Sequence, residues 1–224
     1  MQYCFTDRFG GVSHPPYDSF NLGFHVNDDL LHVKQNRECL REQLGVSKLV
    51  FMDQVHGNDV VLIKTGDEMP TCDAMITQQK DVGLVVMVAD CIPILLYDAV
   101  NEAIGVAHAG RVGSRLLVGQ KCVLAMHEYF GSAMKNIEIK MGPSIQRCCY
   151  EVGVEVTSGF KNVLHVKDEH YFLDLQRYNY EAFLTLGIRK EHMSVSSTCT
   201  CCDTTFFSYR REKNTGRFAG AICL

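Results

Sequence analysis

Apolar and polar positions change period several times along this chain, and each change marks an element. From Asp28 to Leu44 the apolar residues Val33, Leu40 and Leu44 recur near helical spacing, with Asp28 and Asp29 as capping acids and Gly45 as the stop. A helix is expected there. Leu49 to Met52 and Val60 to Ile63 read as short strands, and the Gly57-Asn58 pair between them reverses the chain, which puts His56 on a loop. Gly83 to Ala89 and Ile92 to Tyr97 are continuous apolar runs, the pattern of strands covered on both faces. Pro93 is expected to fix the break between them. A further strand, Ala103 to Ala107, ends in His108-Ala109-Gly110, after which Leu116, Gln120, Val123, His127 and Phe130 mark a long amphipathic helix. Beyond Gly131 the pattern gives a strand at Ile137 to Met141, a Gly142-Pro143-Ser144 turn, a helix near Leu173 to Leu186 and a strand at Phe206 to Tyr209. Strands and helices in this order predict an α/β protein with a mostly buried mixed sheet or sandwich.

Composition narrows the function classes. With 224 residues, 46% apolar and 21% charged, the chain is an ordinary globular sequence, and no Pro-, Gly- or Ser-rich linker divides it, so one domain over 1–224 is expected. A net charge of −4 and the absence of any basic run argue against nucleic acid as a partner. The N-terminus lacks an apolar signal core, and the longest apolar stretch, Val82 to Tyr97, is too short to span a membrane and contains Asp90. A cytoplasmic protein without membrane partner is the expectation. The eleven cysteines are an odd number in a chain too long to need disulfide stapling, so reduced thiols are expected. Cys4, Cys39, Cys122 and Cys223 sit among apolar neighbours and are read as small core residues.

Three stretches carry the candidate chemistry: Gln54-Val55-His56-Gly57, Ala89-Asp90-Cys91-Ile92-Pro93 and Ala107-His108-Ala109-Gly110. They bring two imidazoles and one thiol to the ends of apolar runs, and a zinc ion held by two His and one Cys keeps one position open for water or substrate. The same atoms could instead form a cysteine nucleophile with a histidine base. Asp90 interrupts a stretch with no other charge, so it must be hydrogen-bonded or functional, orienting a ligand or moving a proton. Arg37 and the segment Ser208-Tyr209-Arg210-Arg211 to Gly216-Arg217 supply guanidinium groups for an anion. Cys199-Thr200-Cys201-Cys202 contains one C-x-x-C, and with Cys148-Cys149 it could make a second thiolate site, although structural thiols are the favoured reading. The zinc-deaminase pair of motifs and H-E-x-x-H are absent.

Taken together, the sequence resembles the YfiH-like laccase-domain proteins, also labelled multicopper polyphenol oxidases and regarded as purine nucleoside phosphorylases. The matching pieces are Thr6 to Ser13, Asn21-Leu22-Gly23, Asn36-Arg37, Gln54 to Gly57, Asp73-Ala74, Ala89 to Pro93, His108-Ala109-Gly110, Gly142 to Ile145, Cys199-Thr200, Phe207 to Arg210 and Thr215-Gly216-Arg217. The resemblance implies a layered α-β-β-α sandwich with mixed sheets and a Zn2+ site on His56, Cys91 and His108, with Cu2+ as the alternative occupant. It further implies phosphate-dependent cleavage of adenosine, inosine and methylthioadenosine, with adenosine deamination as a companion activity. Asn21, Arg37, Gln54 and Arg217 are the expected contacts for nucleoside and phosphate, and the assembly expected is a monomer or small homo-oligomer. One departure stands out: the family continues His-Ala-Gly with Trp, where this chain has Arg111 and no tryptophan anywhere. Two rivals are a copper-binding polyphenol oxidase and a non-catalytic zinc or redox-sensing module. Against a multicopper cluster, the nine histidines include no H-x-H.

Overall fold

A computed structural model describes residues 1–66 and 69–224. Its strands are β1 (Gln2–Phe5), β2 (Lys48–Phe51), β3 (Val60–Leu62), β4 (Ala74–Thr77), β5 (Val82–Val88), β6 (Ile92–Asp98), β7 (Ala103–Ala109), β8 (Ile137–Met141), β9 (Glu151–Val152), β10 (Leu164–Lys167), β11 (His170–Leu173), β12 (Met193–Val195) and β13 (Phe218–Cys223). The helices are α1 (Leu30–Leu44), α2 (Arg111–Arg115), α3 (Val118–Phe130), α4 (Val154–Thr157), α5 (Leu175–Thr185) and α6 (Tyr209–Glu212). One sheet has the order β1-β13-β5-β2, the larger one β12-β8-β6-β7-β4-β3, and a small third sheet β10-β11-β9. The two larger sheets are mixed: β2 runs parallel to β5 and β3 to β4, whereas β13–β5 and β6–β7 are antiparallel.

Side chains on a strand alternate between faces, and that period of two builds the layers. Along β5, Leu84, Val86 and Val88 enter an apolar layer shared with Leu95 of β6 and Val106 of β7, which belong to the other sheet. Val85 and Met87 face the opposite way, toward Leu40 and Leu44 of α1. On the outer face of the larger sheet, Ile94, Leu96 and Ala107 pack with Val118, Cys122 and Met126 of α3 and Phe183 of α5. The order is helix, sheet, sheet, helix, as expected. Because both faces are covered, β5, β6 and β7 read as unbroken apolar runs.

Helix α1 starts where expected, with the Asp29 carboxylate accepting the Leu31 N–H at 2.7 Å, and stops on Gly45 in the left-handed region at φ 65°. It buries Val33, Asn36, Leu40 and Leu44. Cys39 lies off that stripe and is exposed, which corrects its reading as a core residue; Cys122 and Cys223 are buried and Cys4 half-buried.

Three other expectations change. The break after β5 falls at Ala89 to Cys91, where the chain crosses from one sheet to the other and Asp90 takes φ 90°. Pro93 instead continues β6 opposite His108, ahead of the register with β8 that begins at Ile94–Met141. The long amphipathic helix expected from Leu116 to Phe130 is α3, which begins only at Val118 because Leu117 adopts φ 61°, and the short α2 precedes it. Phe206 to Tyr209 is not a strand: the Arg211 guanidinium takes the Phe206 carbonyl at 2.6 Å, and Ser208 caps α6. Among the described residues, no helix is long and apolar enough to cross a membrane.

Candidate active site and metal centre

The centre of the site is a carboxylate at the entry to β4. Asp73 is fully buried, and it accepts backbone N–H bonds from Val55 at 3.3 Å and His56 at 3.0 Å, with Gly57 completing the set at 2.5 Å. Those bonds hold the 55–57 loop in shape, including His56 at φ 60°. The other bond of Asp73 goes to β7: the Nδ1–H of His108 donates to its Oδ1 at 2.8 Å. With Nδ1 committed, Nε2 is the nitrogen left to face the pocket. One carboxylate therefore holds the backbone of His56 and the ring of His108. Cys91 comes from the turn that crosses between the sheets, and its Sγ, with the donor nitrogens of His56 and His108, forms a group whose atoms all lie within 4.8 Å of one another. The two imidazole rings meet edge to face, with centroids 4.8 Å apart.

Charge explains how the donors settle without an ion. Burial pushes the Cys91 thiol up, but the charge and hydrogen bond of His108, aided by a bond from His56, outweigh it and bring it down to about 6. For His108, burial works downward, and the Cys91 sulfur and Asp73 carboxylate reverse it, up to about 9. A thiolate beside an imidazolium is the result, and a cation entering the group would take the place of the imidazolium proton. Gly110 supplies the space test. A Cβ there would stand 2.9 Å from the Cys91 sulfur and 3.3 Å from the His56 ring, so a side chain at this position would intrude on the cradle. Two imidazoles and a thiolate, one ring oriented by a carboxylate, fit a zinc-class ion with an open position.

That position opens on a cavity of about 570 Å³ bordered by Tyr150, Tyr209, Arg111, Arg210, Lys213 and Arg217. The size is that of a small-molecule site. Of the expected binding residues, Gln54 and Arg217 border it. The Gln54 amide is paired both ways with the backbone of Met87, at 2.8 and 2.9 Å, which leaves it supporting the wall. Arg217 sends Nη1 to the carbonyls of Thr215 and Gly216, and no carboxylate lies within ion-pair distance of it among the described residues.

Asn21 and Arg37 do not reach the cavity wall. Asn21 is fully buried, accepting the backbone N–H bonds of Gly23 and Arg217 and donating to Asp28. It positions the backbone at Arg217, just ahead of β13. Arg37 is wedged between the rings of Phe24 and Phe51, 4.1 and 3.6 Å from their centroids, and bonds the Leu22 carbonyl behind Met87. Asp90 borders the cavity, yet its carboxylate is spent on the Thr200 hydroxyl at 2.7 Å and the Arg210 N–H at 2.6 Å. The carboxylate on His108 is Asp73, which the sequence placed in the family match at Asp73-Ala74 without a role. Its signal was present, since Asp73 enters the apolar run Ala74 to Ile76 much as Asp90 interrupts its own.

Against known proteins, residues 2–224 match the family described as multi-copper polyphenol oxidoreductase laccase. A purine nucleoside phosphorylase of Corynebacterium glutamicum is 36% identical, the match covering 100% of this chain and 94% of that protein. One from Streptomyces coelicolor is 38% identical over 99% of this chain and 95% of its own length. Among solved structures, the hypothetical protein YfiH of Bacillus licheniformis superposes with a TM-score of 0.94 at 32% identity, covering 99% of this chain and 92% of that one.

Proposed function

Because the chain belongs to the multi-copper polyphenol oxidoreductase laccase family and its relatives include purine nucleoside phosphorylases, we propose that it is a zinc-dependent purine nucleoside phosphorylase. In this reading it cleaves adenosine, inosine and methylthioadenosine with phosphate to the free base and ribose 1-phosphate, or methylthioribose 1-phosphate, and deaminates adenosine as a side activity. The observation that carries it is the convergence of His56, Cys91 and His108 at a cavity that also presents the Arg217 cation.

Phosphorolysis breaks the bond from C1′ to the purine nitrogen while a phosphate oxygen bonds C1′. The electron pair leaves on the purine, which takes up, through water, the proton that the hydrogen phosphate gives up, and the sugar passes through an electron-poor state. Arg217 holds the phosphate dianion close to that developing charge. Tyr150 and Tyr209 offer ring faces to the base. Asp73 keeps the His108 ring in one orientation, and Met87, fixed by Gln54, closes the apolar part of the wall. His56, Cys91 and His108 would hold a divalent ion, which would supply a Lewis acid.

The copper oxidase reading draws on the His2Cys donor set, which also suits a single type 1 copper. A multicopper cluster would need further histidines, and the other donor group among the described residues consists of cysteines alone. The decisive experiment incubates metal-loaded protein with adenosine, with and without phosphate. Phosphate-dependent release of adenine is expected. Inosine formed equally well without phosphate leaves deamination alone, oxygen consumption with phenols favours the oxidase, and no product in any tube favours the binding module.

A further inference from the structure

A second donor group stands apart from His56, Cys91 and His108. The Sγ atoms of Cys148, Cys149, Cys199 and Cys202 all lie within 4.8 Å of one another, with Cys149–Cys202 at 3.3 Å and Cys148–Cys202 at 3.7 Å. They come from two tight turns. In one, the N–H groups of Cys149 and Tyr150 both bond the Gln146 carbonyl; in the other, those of Cys202 and Asp203 both bond the Cys199 carbonyl. A short bridge between Ser144 and Cys199 joins the turns, and the Gln146 N–H donates to the Cys199 sulfur at 3.4 Å.

We propose that Cys148, Cys149, Cys199 and Cys202 bind one zinc-class divalent ion in a closed tetrahedral site. Four thiolates around an ion at bonds of about 2.3 Å stand about 3.8 Å apart, close to the separations seen here. A cluster of several irons with bridging sulfides spreads its thiolates around a wider cage. A disulfide would consume two sulfurs, strand the other two against it and require an oxidant; all eleven cysteines are free thiols. Four thiolates on a divalent ion leave a net charge of −2, and two guanidiniums stand on these turns, that of Arg210 and that of Arg211, the latter also paired with Glu212 at 3.0 Å. Arg210 bonds the Cys149 carbonyl at 2.9 Å and Arg211 the Cys201 carbonyl at 3.1 Å.

The consequence reaches the cavity through Arg210 and Tyr150. Arg210 joins the turn at Cys149 to Asp90 through its own N–H and lies over the Tyr150 ring at 5.4 Å. An ion here would clamp the two turns that carry this wall. With no position open for a reactant, the role is structural.

The test reads ions per chain by native mass spectrometry and elemental analysis of the full protein, purified under reducing conditions with zinc as the added metal. Two ions in the wild type, one in Cys91→Ala and one in Cys148→Ser/Cys202→Ser support the site. A single ion in the wild type that Cys91→Ala removes overturns it, as does a chain two hydrogens lighter in which Cys149 and Cys202 are joined. Should the double variant fail to fold, cobalt-loaded Cys91→Ala decides. Intense thiolate-to-cobalt absorption of a tetrahedral ion is expected, and its absence overturns the assignment. None of these readouts uses turnover, so the site stands or falls separately from the phosphorylase reading.

Discussion

His56, Cys91 and His108 reach their meeting point from a loop, an inter-sheet turn and the end of β7, whereas Cys148, Cys149, Cys199 and Cys202 all stand on turns beyond the larger sheet. The first group is short of a fourth donor and faces a cavity; the second has four. Donor count separates chemistry from bracing, because an ion with an open position can engage a reactant and a saturated one cannot. Support differs as well. A buried carboxylate, Asp73, holds the His56 backbone and the His108 ring, while the thiols are held by turn backbone, the Ser144–Cys199 bridge and the Gln146 N–H on the Cys199 sulfur.

Removing a donor from the pocket group is the harshest test of this contrast. Cys91→Ala should cut phosphorolysis by more than about 100-fold, beyond the roughly 10- to 100-fold that loss of a ligand's orienting partner costs. Adenine release and metal content, measured on one preparation, check it, and equal loss of both ions would break the separation drawn between the groups. Next in size, Asp73→Asn keeps all three donors but weakens the hold on His108 and on the 55–57 loop. Zinc affinity at the pocket should fall by about 10- to 100-fold, read by competition with a chromogenic chelator, while the cysteine group keeps its ion.

The same contrast governs what the sequence disclosed. Covered on both faces, β5, β6 and β7 had to be continuously apolar, and their ends announced Cys91 and His108. Asp29 and Gly45 bracketed α1 for local reasons of capping. Pairings at long range left no such trace: β13 lies between β1 and β5, joining the two chain ends, and its small residues Ala219 and Ala221 make sense only against α1. Phe206 to Tyr209 has strand-like composition, yet Arg211 takes carbonyls from four residues of the preceding loop and fixes an irregular path. Among site residues, donor type pointed to the triad. The burial of Asn21 and Arg37 depends on packing between α1 and the smaller sheet, which spacing in the chain does not encode.

Two arginines extend the comparison to the anion. Arg217→Met should raise the KM for phosphate by about 10- to 100-fold, the worth of a charge-assisted hydrogen bond, with zinc content unchanged. Arg37→Met should leave that KM within about twofold and instead lower thermal stability by about 1–3 kcal/mol, since its bond to Leu22 and its stacking on Phe24 and Phe51 are lost. Steady-state kinetics with phosphate as the varied substrate, beside thermal unfolding, separates the two. A large phosphate effect at Arg37 with none at Arg217 would reverse the assignment of the wall.

The smallest effect is expected at Arg111, which stands at the start of α2 and borders the cavity. Its guanidinium is flat and can lie on a ring, as the indole expected there from the family resemblance would, so the exchange alters strength of stacking more than its geometry. It also adds a positive charge near Tyr150 that an indole lacks. Arg111→Trp should therefore change the KM for adenosine by no more than about fivefold, the size of one stacking contact of about 1 kcal/mol. The KM for phosphate should rise slightly as the cation is lost, with both ions retained. Varying adenosine and phosphate separately resolves the two contributions. An effect on adenosine as large as that of Arg217→Met on phosphate would mean that residue 111 grips the base directly, and the division between a chemical floor and a permissive wall would have to be redrawn.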